Sequence, residues 1–226
     1  MMRDIAGPAV VAYHGCDLSV ATDVVSGSIP HLLPSKNPYD WLGDGIYFFE
    51  DDPVRAQKFA ETAAEMPALR LTAKPILRPY AVGAVIRLGH CLDLSKQNGI
   101  DEFRLAYETL VQSMGEEQEL PTNRAASQED KEGILHHLDR AIINFIHGQR
   151  LSLGQQAYDT VRGFFWQGAP VCPTSAIGRL SHVQIAVRNT ACVLGYFHPQ
   201  SPTADRFQGL ERIPPPPYRK KIRSAK

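Results

Sequence analysis

Three short stretches of this 226-residue chain carry the side chains best suited to hold and work on a small molecule. They are Tyr13-His14-Gly15, Gly43-Asp44-Gly45-Ile46-Tyr47-Phe48 and Ser181-His182-Val183-Gln184-Ile185-Ala186-Val187. His14 offers an imidazole at the end of an apolar run, and Tyr47 an aromatic ring between a glycine turn and a helix. Gln184 shares one strand face with His182, while Val183, Ile185 and Val187 take the other. Groups of this kind hydrogen-bond and stack. Each also has a plainer reading: a polar strand end, a core tyrosine, a solvated strand face. The familiar catalytic fingerprints are absent. Gly43-Asp44-Gly45 leads into a strand and not a helix, so it is not a dinucleotide turn, and the chain has no Walker loop, His-Glu-x-x-His or Gly-x-Ser-x-Gly.

Metal chemistry is not expected either. Glu50, Asp51 and Asp52 sit where helix capping and dipole complementarity explain an acidic cluster. His136, His137 and His147 lack the i, i+4 pairing of a helical metal site and read as structural. Cys16, Cys91, Cys172 and Cys192 are scattered without a close pair, which predicts buried or idle thiols.

The elements that must position these residues follow from pattern. Ala9 to Gly15 reads as a strand, Leu18 to Val25 as a short helix stopped by Gly27, and Ile29 to Asp40 as a proline-marked loop long enough to act as a flap. A buried strand holds Tyr47, and Asp52 and Pro53 open a helix to about Glu65. Val82 to Leu88, continuing to Leu94, is β-rich. Asp101 to Met114 and Lys131 to Gln149 are helical, the second with an apolar stripe through Ile134, Leu138, Ile142, Phe145 and Ile146. Strands resume at Thr160 to Trp166, Val183 to Val187 and Val193 to Phe197. Strands, a helical middle and strands again predict an α+β class.

One domain is expected over residues 1–213, with a helical insertion at about 97–158 and a proline-led basic tail at 214–226. Formal net charge is zero and 43% of residues are apolar, which argues against a nucleic-acid coat or a membrane binder. No apolar run reaches the ~18–20 residues of a membrane span, and the N-terminus lacks a signal-peptide core. The expected compartment is the cytoplasm.

The first two stretches, followed by a helix carrying Ala56 and Phe59, resemble the catalytic domain of the poly(ADP-ribose) polymerase branch of the ADP-ribosyltransferases. That family joins a strand-borne His-Gly, a Gly-x-Gly-(Ile/Phe)-Tyr-Phe segment and a late strand with a glutamate. The likeness covers residues 9–65 strongly and 160–198 in pattern only. It implies split β-sheets around a cleft for NAD, used as substrate without a metal. Cleaving the nicotinamide–ribose bond passes through an oxocarbenium-like centre, as glycoside cleavage does.

The resemblance gives each residue a role. Tyr47 stacks on nicotinamide, His14 bonds the adenosine ribose, the Gly15 backbone reads the carboxamide, and Gln184 bonds the nicotinamide-ribose 2′-hydroxyl. Gly43, Gly45 and Phe59 join His14, Gly15 and Tyr47 as the implied NAD-binding residues, the glycines at the turn and Phe59 as a second ring, while Gln184, His14 and Tyr47 form the implied catalytic set. His14 and Tyr47 are expected to line one cleft. Departures matter: Gln184 stands for a glutamate, and Arg55 and Lys58 fall where the polymerases place a serine and a second aromatic. Single transfer to a macromolecular acceptor, protein or nucleic acid, is the expectation. An NAD glycohydrolase and an inactive NAD or ADP-ribose sensor are the alternatives, and His182 and Arg162 are next in line should Gln184 not serve. Bacterial relatives of the fold serve as toxins or defence enzymes, a role the resemblance allows.

Overall fold

The computed structural model describes residues 5–67, 71–72, 74–115, 119–125 and 135–200. The basic tail at 214–226 and the predicted helix start at Lys131 to Ile134 lie outside them. The chain order is β1 (Ala9–Asp17), α1 (Leu18–Ser26), β2 (Ile46–Glu50), α2 (Pro53–Glu65), β3 (Pro79–Arg87) and β4 (Cys91–Asp93). There follow α3 (Gln97–Ser113), α4 (His137–Ser152), β5 (Thr160–Phe165), β6 (His182–Val187) and β7 (Val193–Phe197). The class is mixed α+β. All seven strands join one sheet in the order β4-β5-β6-β2-β1-β3-β7, antiparallel except for β4 beside β5. The expected division into separate sheets is therefore replaced by one continuous sheet, because β2 bridges β1 and β6.

Local chemistry sets the ends of the elements. Asp17 caps α1 and Gly27 closes it in the left-handed region (φ 78°). Asp52 accepts the Arg55 N–H at 2.8 Å and Pro53 takes the first turn of α2. The β-rich stretch after Val82 is not continuous: Gly89 (φ 62°) breaks it, and the His90 N–H turns to the Asp159 carboxylate. α3 begins four residues before its apolar pattern does. Helix α4 starts only at His137, since Leu135 is tied to Arg124 by a two-bond bridge.

Alternation along the strands divides the core in two. On one face Ala12, Cys16, Phe48, Val82, Ala84, Ile185 and Val187 pack with Ala21 and Val24 of α1. On the other, α2 lays Ala56 and Phe59 against Phe49 and Ala81, while α4 lays Ile142, Ile143 and Ile146 against Leu42, Val161 and Ala186. Burial of a side chain such as Phe48, fully enclosed, is worth ~1.5–3 kcal/mol. The second face, shared between α2 and the α3–α4 pair, is where Tyr47 and Gln184 lie. Among the described residues no helix is long and apolar enough to cross a membrane.

Candidate active site

The site begins where a ladder stops. β1 pairs with β3 along its whole length, but with β2 only at Ala12↔Glu50 and Tyr13↔Phe49. The Val11 carbonyl accepts the Asp51 N–H at 3.0 Å, so odd-numbered residues of β1 aim their peptide groups at β2. Gly15 is the next odd residue beyond the last pair. Its N–H and C=O therefore face an opening between the strands. Only glycine fits there: a Cβ would sit 2.3 Å from the Ala56 carbonyl oxygen and 3.0 Å from Cδ1 of Phe59. Phe59 thus borders the opening from the α2 side.

His14 fills the adjacent position. Its Nδ1 lies 2.7 Å from the Tyr47 carbonyl, which only accepts, so Nδ1 carries the proton and Nε2 keeps its lone pair. That carbonyl is the one continued pairing would have given to Gly15. Burial holds the imidazole pKa below its ordinary value, which keeps the ring neutral. Nε2 has no hydrogen-bond partner among the described residues.

His14 and Tyr47, 33 positions apart, therefore meet, but not as two rings on one wall. Alternation carries the imidazole to the side of Phe48, 5.8 Å between ring centres, and the phenol to the side of Leu42 and Ala186. The expectation that the two line one cleft, on which the ADP-ribosyltransferase resemblance depends, is not met by their side chains, which point to opposite faces of the sheet. Backbone joins them instead, at the edge of the opening.

Tyr47 spends its hydroxyl on its own turn, donating to the Gly43 carbonyl at 2.8 Å and accepting from the Leu42 N–H at 3.0 Å. Burial raises the phenol pKa well above its usual value, so what Tyr47 offers is a neutral ring. Gly43 has φ 75°. Asp44 takes Arg140 at 2.8 Å and Asn144 at 3.3 Å, and Arg188 donates to its carbonyl at 2.9 Å, so α4 and the end of β6 brace the turn. Gly45 exchanges two backbone bonds with Ser35, Leu32 is buried and His137 holds the Pro38 carbonyl. The Ile29–Asp40 segment thus has more anchoring contacts than its composition suggested.

Gln184 lies on the same face as Tyr47, diagonal to it across the β2–β6 ladder, in which Tyr47 opposes Ala186 and Phe49 opposes Gln184. Trp41 Nε1 donates to Gln184 Oε1 at 2.6 Å. His182 is buried and not on a solvated face; it donates Nδ1–H to the Leu180 carbonyl, packs 4.8 Å from Phe49, and burial lowers its pKa to about 4. Arg162 stands on the opposite face. There it grips Glu50 through two bonds of 2.6 and 2.9 Å and also reaches Asp93, which removes it from this site.

The opening thus gathers Gly15, Tyr47, Phe59, Gln184 and, at its edge, His14. Residues 41, 140, 144 and 188 had carried no role. Only one signal pointed to Trp41: a glycine at 163 within a strand pattern, which marks a close approach. Among the described residues no three metal-binding side chains cluster. A cavity of about 230 Å³ by Asp93 and Glu102, and another of about 320 Å³ by His147 and Arg188, include none of the gathered residues. Comparisons with protein-family models, with curated proteins and with solved structures found no match.

Proposed function

We propose that this chain is a mono-ADP-ribosyltransferase of the cytoplasm, which cleaves NAD at the nicotinamide–ribose bond and passes ADP-ribose to a macromolecular acceptor. What supports the reading is the end of the β1–β2 ladder at Tyr13↔Phe49: the Gly15 peptide group, next on the β2 side and bordered by Phe59, is placed to offer one donor and one acceptor side by side. A nicotinamide carboxamide presents the complementary acceptor and donor. Tyr47, on the same face, offers the ring for stacking, and His14 Nε2 is a neutral acceptor for a hydroxyl of the adenosine ribose. Gln184, its oxygen engaged by Trp41, donates its amide N–H to the 2′-oxygen of the nicotinamide ribose.

In the reaction the C–N bond breaks with its electron pair moving to the pyridinium nitrogen, so nicotinamide leaves neutral. A nucleophilic oxygen or nitrogen of the acceptor then bonds to the oxocarbenium carbon, and the proton it carried passes to solvent. Gln184 adds no negative charge beside that centre, which favours single transfer over polymer synthesis. The same residue supports a second reading, an NAD or ADP-ribose sensor that binds without turnover, because a neutral amide whose oxygen already accepts from Trp41 is a poor base for activating a nucleophile.

Incubation with labelled NAD and a cell lysate separates the cases. Label in protein or nucleic acid is the expected result. Free ADP-ribose identifies a glycohydrolase, and tight binding with unchanged NAD identifies a sensor. Absence of binding overturns the NAD reading.

A further inference from the structure

We propose that Trp41 is the positioning residue that turns Gln184 into a fixed donor toward the opening, with Gly163 making the room; this rests on the opening being the NAD site. Gly163 is the Cα partner of Gln184 in the β5–β6 ladder. A Cβ at 163 would fall 2.6 Å from Cη2 of Trp41, so the missing side chain is the slot in which the indole lies. Phe165, two residues on, borders the slot with its ring centre 5.0 Å from that of Trp41.

From this slot the indole N–H, a donor with no acceptor capacity, reaches Gln184 at 2.6 Å. Only the amide oxygen can meet it, which forces the NH2 to the other side. An unassisted glutamine amide can flip and present either group. Here one orientation is selected, and a ribose oxygen meets a donor already in place.

The experiment pairs a spectroscopic arm with a binding arm. In the first, the Trp41 indole N–H resonance of the wild-type chain is shifted downfield and protected from exchange, and Gln184→Leu removes both effects. An indole signal indifferent to Gln184→Leu overturns the proposal. In the second, calorimetry with NAD gives a cycle. Trp41→Phe weakens binding about fivefold, the scale of one lost hydrogen bond, yet causes no further loss once Gln184 is leucine. Equal losses in both backgrounds mean that Trp41 acts through packing alone, and overturn it. Gly163→Ala, which displaces the indole, reproduces Trp41→Phe, with melting temperature followed to exclude unfolded protein. A wild-type chain with the indole shift but no NAD binding overturns the NAD reading and the proposed role with it, a result distinct from either failure above.

Discussion

Strand β2 has two neighbours and treats them differently. Toward β6 it pairs from Ile46↔Val187 through Phe49↔Gln184; toward β1 it pairs at two positions and then parts. On the closed side every peptide group is committed to a neighbour and side chains do the differentiating, as in the fixing of Gln184 by Trp41. On the other side the registered pairs stop at Tyr13↔Phe49, and the Gly15 peptide group beyond them is left without a β2 partner in the ladder. The lesson is that an interrupted ladder can be a recognition element, provided a side chain such as His14 takes the orphaned carbonyl.

The strongest way to break the comparison is Gly15→Ala. The added Cβ meets main chain of α2 at 2.3 Å, not a flexible side chain, so we expect a loss of ~3 kcal/mol in urea unfolding and no detectable NAD binding. Gly195→Ala on β7, where nothing lies within 4 Å, is the control and should be near neutral. Retained NAD binding in Gly15→Ala would remove the opening from consideration.

Next in size is Gln184→Glu on the closed side. Trp41 keeps an acceptor, while a negative charge arrives beside the developing cation, where a well-placed group is worth ~3 kcal/mol, about a hundredfold in rate. Nicotinamide release should rise by that order, and hydrolysis more than transfer, since the carboxylate can orient water. Unchanged release in both Gln184→Glu and Gln184→Leu would reduce Gln184 to an ordinary strand residue.

Tyr47 sharpens the contrast further. Tyr47→Ala removes the stacking face and should cost ~1–3 kcal/mol in NAD affinity. Tyr47→Phe keeps the ring but strands the Leu42 N–H, so it should cost ~1–2 kcal/mol of stability and little affinity. Equal affinity losses would assign the hydroxyl, not the ring, to the ligand.

The smallest expected effect is on pH. His182 titrates near 4 and His147 near 3 in the folded chain, both lowered first by burial, against an ordinary value of 6.5. Below 6.5 the unfolded chain binds more protons than the folded one, so stability falls as pH falls, by ~1 kcal/mol per imidazole at pH 5.5. The loss stops growing below the folded values. Thermal unfolding from pH 7 to 5 should show this slope, and His182→Phe should flatten it; an unaltered profile would mean that His182 is hydrated.

What the sequence made legible was local. Aromatic and β-branched runs between glycines and prolines marked β1, β2, β5, β6 and β7, and Asp52-Pro53 marked the start of α2 within a residue. The residues at the opening were legible because His14, Gly15, Tyr47 and Gln184 lie in three short stretches and Phe59 in the helix that follows the second. What escaped depended on register between distant strands. Whether β1 keeps pairing with β2 past Tyr13 is not written in either strand, and so the opposite faces of His14 and Tyr47 could not be read. The role of Trp41 needs a partner 143 positions away, and Arg162 looked available until Glu50, 112 positions distant, neutralised it. Helix α3 started early for a similar reason: Gly99 lies against the Asp93 carbonyl, a contact with no trace in helical periodicity.

The closed side of β2 also sets a schedule. Trp41 and Gln184 stand 143 positions apart, and Asp44 waits 100 positions for Asn144. At ~5–20 residues per second of synthesis, the second half of that architecture leaves the ribosome on the order of ten seconds after the first. Through that interval the nascent Ile-Tyr-Phe-Phe segment has only its two-pair ladder with β1 and no β6 to cover it. Slowing translation over residues 100–180 should lengthen this exposure and increase co-translational capture by chaperones, while leaving the finished protein unchanged.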